Sequence, residues 1–174
     1  MADLLTHVLA GYVIGMLLAF RFAWIGRPEV TLVMIGAATP DLNRLRLIVH
    51  ESTIEAAFGV PFDWSALHYL GGNLVVLCIG ALLIAPEWRR RAFVLLLLGA
   101  ASHHVLDLLL LTATGHTYPV LWPLTEYHPP AGMVYRSTDQ WPVLVAGGAA
   151  ALVWLAHQPD KVDQLRSLIT IRRG

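Results

Sequence analysis

"AFVLLLLGAASHHVLDLLLL", residues 92–111, decides how this chain is read. The run is long and apolar enough to cross a bilayer, whose hydrocarbon core takes about 20 such residues. Yet it carries Ser102, His103, His104 and Asp107. On insertion scales a carboxylate within a transmembrane helix costs about 2.5–3.5 kcal/mol, and the imidazoles add desolvation. Residues of this kind need a partner that the rest of the chain must supply.

The composition supports the membrane reading. Of 174 residues, 56% are hydrophobic and 14% charged, and the mean hydropathy is +0.60. Soluble domains carry about a quarter charged residues. The expected fold is all-α, a polytopic membrane bundle of four to five transmembrane helices. Net charge is zero, so nothing favours a nucleic-acid partner. The single cysteine, Cys78, excludes an intrachain disulfide.

Working outward from 92–111, three more segments reach or approach spanning length: Leu4–Ile25, Ala66–Ala85 and Trp141–Ala156. Leu4–Ile25 lacks a basic leader and is expected to be retained as a first span. Val30–Thr39 is too short to span alone; it either extends back through Pro28 or lies against its neighbours. The breaks are "GRPE" (26–29), "PDLN" (40–43) and "PEWRRR" (86–91), together with a polar connection over 44–65 and a long loop over 112–140. These limits give a transmembrane domain over 1–157 and an amphipathic cytoplasmic tail over 158–174, whose Val162, Leu165, Leu168 and Ile169 share one helical face.

Alternating hairpins put Arg21, Arg27, Arg89, Arg90, Arg91, Lys161, Arg166, Arg172 and Arg173 on one side. Only Arg44, Arg46 and Arg136 fall on the other. The basic side is expected to be cytoplasmic. Trp24 and Trp88 lie toward that side, and Trp64, Trp122 and Trp141 toward the opposite one, as interfacial belts.

On this topology His7, Asp41, His68, His103 and Asp107 come from four segments to the outer end of the bundle. His103 and Asp107 are four residues apart, about 40° around a helix and one turn in height. A shared divalent cation offsets the cost of burying such groups. Imidazole with carboxylate suits zinc, and also manganese or iron. A structural His–Asp hydrogen bond explains His103 and Asp107 equally well when they are taken alone. Gly11 and Gly15 form a GxxxG face that either brings His7 toward the 92–111 span or serves ordinary helix packing; Gly71 and Gly72 allow the same two readings.

"THVLAG" (6–11), "ATPDLN" (38–43), "SALHYLG" (65–71) and "SHHVLDLLLLTATGHTYPVLWPLT" (102–125) resemble the membrane-bound metal-dependent hydrolase family, also described as LexA-binding and inner-membrane-associated. The residue order is similar, more distantly, to zinc-dependent phospholipase C. That resemblance implies one metal on Asp41, His68, His103 and Asp107, and a second on His7 and Asp107. The usual His-Arg-Gly-x-Thr-His motif is replaced here by "DWSALHYLG" (63–71), and no His-x-x-x-Glu for a third ion is present. One or two ions are therefore expected, zinc first and manganese next.

A phosphoester in a lipid-like substrate is the expected target, with Asp41 as the catalytic carboxylate. Arg136 and Arg44 are candidate substrate contacts, and Asn43, Ser102 and His104 are candidates to orient the ligands. The 112–140 loop, with Tyr118, Trp122, Tyr127 and Tyr135, is a candidate lid. Membrane lipids are the expected partners, and the sequence leaves the oligomeric state open. The competing expectation is a metal-binding or ion-transport membrane protein without catalysis.

Overall fold

The computed structural model describes residues 3–158. The expected tail helix over 158–174 lies almost wholly outside them. The described residues form six α-helices and two 3₁₀ segments, with no strand. The helices are α1 (Leu4–Arg21), α2 (Arg27–Ala38), α3 (Glu51–Phe58), α4 (Leu70–Leu82), α5 (Arg89–Leu108) and α6 (Trp141–Ala156). The 3₁₀ segments are Thr39–Leu47 and Trp64–His68.

The breaks have local causes. α2 starts at a capping box, in which the Gly26 amide donates to Glu29 Oε2 at 2.8 Å, and Pro28 sits in its first turn. The short apolar segment therefore does extend back through Pro28. Pro40 cannot donate to a helical ladder, and the chain passes there into the 3₁₀ segment. Asp63 caps the second 3₁₀ segment by accepting from the Ser65 amide. His50 caps α3, which ends at Gly59 in the left-handed conformation, φ 69°.

Two helices, α1 and α5, are long and apolar enough to cross a membrane; α4 and α6 are apolar but shorter. At 1.5 Å per residue α5 is about 30 Å long and α4 about 20 Å. The expected 66–85 span is split, because residues 64–68 wind as 3₁₀ and Tyr69 is extended. α6 coincides with its expected limits.

α2 lies at the centre, between α1 and α5. Its contact with α5 is backbone on backbone: a Cβ on Gly36 would strike Leu96 O, and one on Gly99 would strike Val33 O. The Gly11–Gly15 face of α1 meets Val30, Val33, Met34 and Ala37 of α2, so it does not dock directly on 92–111. α4 packs on α5 through Leu77, Leu96 and Ala100, and α6 packs on α1. Gly71 and Gly72 let Trp122–Pro123 and the Ala66 carbonyl approach. The outer faces stay apolar, with Leu17, Val75, Ile79, Leu83, Leu144 and Leu152 more than half exposed. Trp24, Trp88, Trp122 and Trp141 are exposed as belt residues should be, but Trp64 is buried, its Nε1 donating to Val49 O at 2.9 Å.

Candidate metal centre

Four pieces of chain deliver polar side chains to the end of the bundle opposite the 26–29 and 86–91 turns. His7 comes from the start of α1 and Asp41 from the first 3₁₀ segment. His68 ends the second, and His103, His104 and Asp107 occupy the last turns of α5. All six are buried, and the side chains of His7, His103 and Asp107 are at 0% exposure.

Asp107 is the hub. Its Oδ2 lies 2.9 Å from His68 Nε2 and 3.5 Å from His103 Nε2, and its Oδ1 lies 3.5 Å from His7 Nε2. The His7 and His103 rings stack with centroids 3.6 Å apart. Potential ligand atoms fall into two groups, His7–His103–Asp107 and Asp41–His68–His103, each with its atoms within 4.8 Å of one another. The two groups share His103, whereas the resemblance implied sharing through Asp107; the two Asp107 oxygens nonetheless face different histidines.

The backbone fixes the orientation of two of these rings. His103 Nδ1 is 2.8 Å from Ala37 O, and His68 Nδ1 is 3.0 Å from Pro40 O. A carbonyl oxygen only accepts, so Nδ1 carries the proton in each ring and Nε2 faces the cluster. Imidazoles that bind metals through Nε2 are held in the same way by a partner at the other nitrogen. Behind these carbonyls, Thr39 Oγ1 donates to Gly36 O at 2.8 Å and accepts from Asn73 Nδ2 at 3.1 Å.

The cluster also leaves polar atoms without hydrogen-bond partners among the described residues. These include His7 Nδ1 and Asp41 Oδ2, while His7 Nε2 and His103 Nε2 make no hydrogen bond beyond their 3.5 Å approach to the Asp107 carboxylate. Burying such atoms unsatisfied costs about 1–3 kcal/mol each. An electron-pair acceptor among them would relieve that cost, so the donor set fits a divalent ion.

Arg44 binds Asp41, with Nε 3.1 Å from Oδ1, and so holds a carboxylate of the cluster. Arg136 is exposed on the 112–140 loop, its amide donating to Asp139; it is not among the cluster residues. Ser102 Oγ donates to Gly99 O, inside its own helix. Asn43, two residues after Asp41, is buried. His104 sits next to the cluster, its Nδ1 2.9 Å from Tyr118 Oη.

The long loop closes over this end. The Tyr118 ring lies 4.5 Å from that of His68, centroid to centroid. Burial, reinforced by the Asp107 carboxylate, pushes the Tyr118 phenol above its usual range, so it keeps its proton. Tyr135 donates to Leu106 O, and its phenol is raised to about 12, first by burial. Tyr127 and Arg136 remain outside. The residues that pattern reading missed are Ala37 and Pro40, which act through main-chain oxygens that any side chain would expose. The only available signal was the position of Pro40 at the end of an apolar helix. His50, His116, His128 and His157 lie away from the cluster, on caps, loops and a helix end.

The family model described as YdjM inner membrane protein matches residues 1–171. No curated protein and no solved structure matches the chain.

Proposed function

The chain belongs to the YdjM inner membrane protein family, a membrane location follows from that, and we propose that this member is a metal-dependent hydrolase of a phosphoester in a lipid-like substrate. His7, Asp41, His68, His103 and Asp107 would hold one or two divalent ions, zinc first and manganese next. The basic turns would face the cytoplasm and the cluster the extracytoplasmic side of a multi-pass bundle. One observation carries this reading: three imidazoles and two carboxylates from distant parts of the chain converge in a buried site, with key atoms unsatisfied.

Such an ion, when bound, polarises a phosphoryl oxygen and brings the pKa of a coordinated water toward about 7. The remaining work falls to the chain. Asp41, tethered by Arg44 at the rim, is our candidate to accept a proton from the attacking water. Ala37 O and Pro40 O hold the Nδ1 edges of His103 and His68 and so fix how the two rings are turned. Tyr118 stays protonated over His68 and excludes water from that side.

The test is elemental analysis of untagged protein in detergent, followed by phosphate or headgroup release from a lipid panel. We expect one or two zinc or manganese ions per chain, lost in Asp107→Asn and His103→Ala with helical circular dichroism retained, and lipid hydrolysis by the wild type alone. A folded, metal-free wild type sinks the reading. The near-complete burial of the cluster supports a second one, because closed metal sites are characteristically structural. Stoichiometric metal without hydrolysis of any phosphoester would favour that non-catalytic or ion-handling role.

A further inference from the structure

At the other end of the bundle, between α2 and α5 and the chain leaving α4, lies a cleft of about 530 Å³. Sites for small ligands run to about 300–1,000 Å³. Leu32, Ile84, Ala92 and Leu95 form its apolar walls. From Leu95 to Asp107 is about 18 Å along α5 at 1.5 Å per residue, so the cleft is separate from the His–Asp cluster and independent of the function proposed for it.

Its mouth is built differently from an ordinary interfacial arginine. The Arg91 guanidinium lies 5.1 Å from the Trp88 ring centroid and 5.3 Å from that of Trp24. Two aromatic faces therefore hold the cation in place at the cleft. Lone arginines at helix ends snorkel freely instead. Arg89 is already committed, donating to Ile84 O and Leu82 O. Two other polar groups of the lining have partners inside α2 and its cap: Glu29 Oε2 accepts from the Gly26 amide, and Thr31 Oγ1 donates to Arg27 O. That leaves Arg91 with the donors to meet an anion, above an apolar trough.

We infer that this cleft is a phospholipid site, in which an acyl chain lies between α2 and α5 and the headgroup phosphate sits on Arg91. A guanidinium offers forked donors that match phosphate oxygens, and the ring of tryptophans sits at the level expected of headgroups. An apolar chain in the trough covers walls that are otherwise open.

The full-length, delipidated protein in detergent can be titrated with phosphatidylglycerol, with diacylglycerol of the same chains and with inorganic phosphate, and read by native mass spectrometry. We expect one saturable phosphatidylglycerol adduct, at least tenfold weaker binding of diacylglycerol, and none of phosphate alone. Arg91→Gln should abolish the preference between the two lipids, and Arg91→Lys should keep part of it. Thr31 is exposed on the cleft wall, so Thr31→Trp fills the trough with little risk to folding and should remove the adduct. Equal binding of both lipids to the wild type overturns the inference, as does an adduct that survives Thr31→Trp. A wild-type dimer that Thr31→Trp converts to monomer, with no lipid adduct in either, would assign the cleft to a second copy instead.

Discussion

Pro40 has no amide hydrogen, and much of the cluster follows from that. In a 3₁₀ turn amides reach three residues back, not four; the amide that would reach Ala37 O is that of Pro40, which has no hydrogen, so this oxygen serves His103, and Pro40 O lies against His68. Pro40→Ala lets α2 continue and draws Ala37 O into a helical bond. Loss of such orienting contacts costs about 10–100-fold in metal affinity. We expect a loss of that size in competition against a chromophoric chelator, with helix content by circular dichroism retained or slightly raised; undiminished affinity would show that these carbonyls do not set the ring orientation. At this scale the sequence discloses residue types but not directions. His103 and Asp107 could be paired from their four-residue spacing. Nothing in the spelling of Arg44 or Ser102 says that one turns to Asp41 and the other to its own helix.

The α2–α5 contact admits no side chain at its crossing point. Gly36→Ala would set a methyl group against the Leu96 carbonyl, whereas a Cβ on Gly80 meets only Leu96 Cδ1, at 3.7 Å. Overpacking of this kind costs about 1–3 kcal/mol. Thermal unfolding in detergent should therefore show a clear drop in melting temperature for Gly36→Ala and almost none for Gly80→Ala. Equal behaviour of the two variants would argue against the close approach. Hydropathy made the existence of α1, α5 and α6 legible because each is one long apolar run, but α1 stops at Arg21, short of Ile25, and α5 runs from Arg89 to Leu108, not from Ala92 to Leu111. It misjudged 66–85, where apolar residues continue but the backbone changes from 3₁₀ to α at Tyr69. A GxxxG face announces a close neighbour without naming it, and here the neighbour is α2.

For the molecule as a whole, the exposed positions Leu124 and Glu87 lie in the 112–140 loop and the basic turn. In a Cys78→Ser background, Leu124→Cys should react with an impermeant maleimide on intact cells or spheroplasts, and Glu87→Cys only after lysis. The reverse pattern would invert the proposed orientation. Counting arginines along the chain was enough to suggest this arrangement, because the positive-inside bias is a property of loops and needs no packing detail. The gathering of His and Asp at one end was legible for the same reason: alternating hairpins return every second boundary to one side. The 112–140 loop could be named a candidate lid with Tyr118 in it, but the seat of that ring on His68 could not be read, since it depends on how a loop with no regular structure folds back. The hub of the cluster also sets a timetable for biogenesis. Asp107 emerges from the ribosome long after His7, and synthesis at about 5–20 residues per second makes the delay seconds long. Until α5 arrives, the earlier imidazoles enter the membrane without their carboxylate. A chain that stalls before it therefore lacks the carboxylate that both His7 and His68 face.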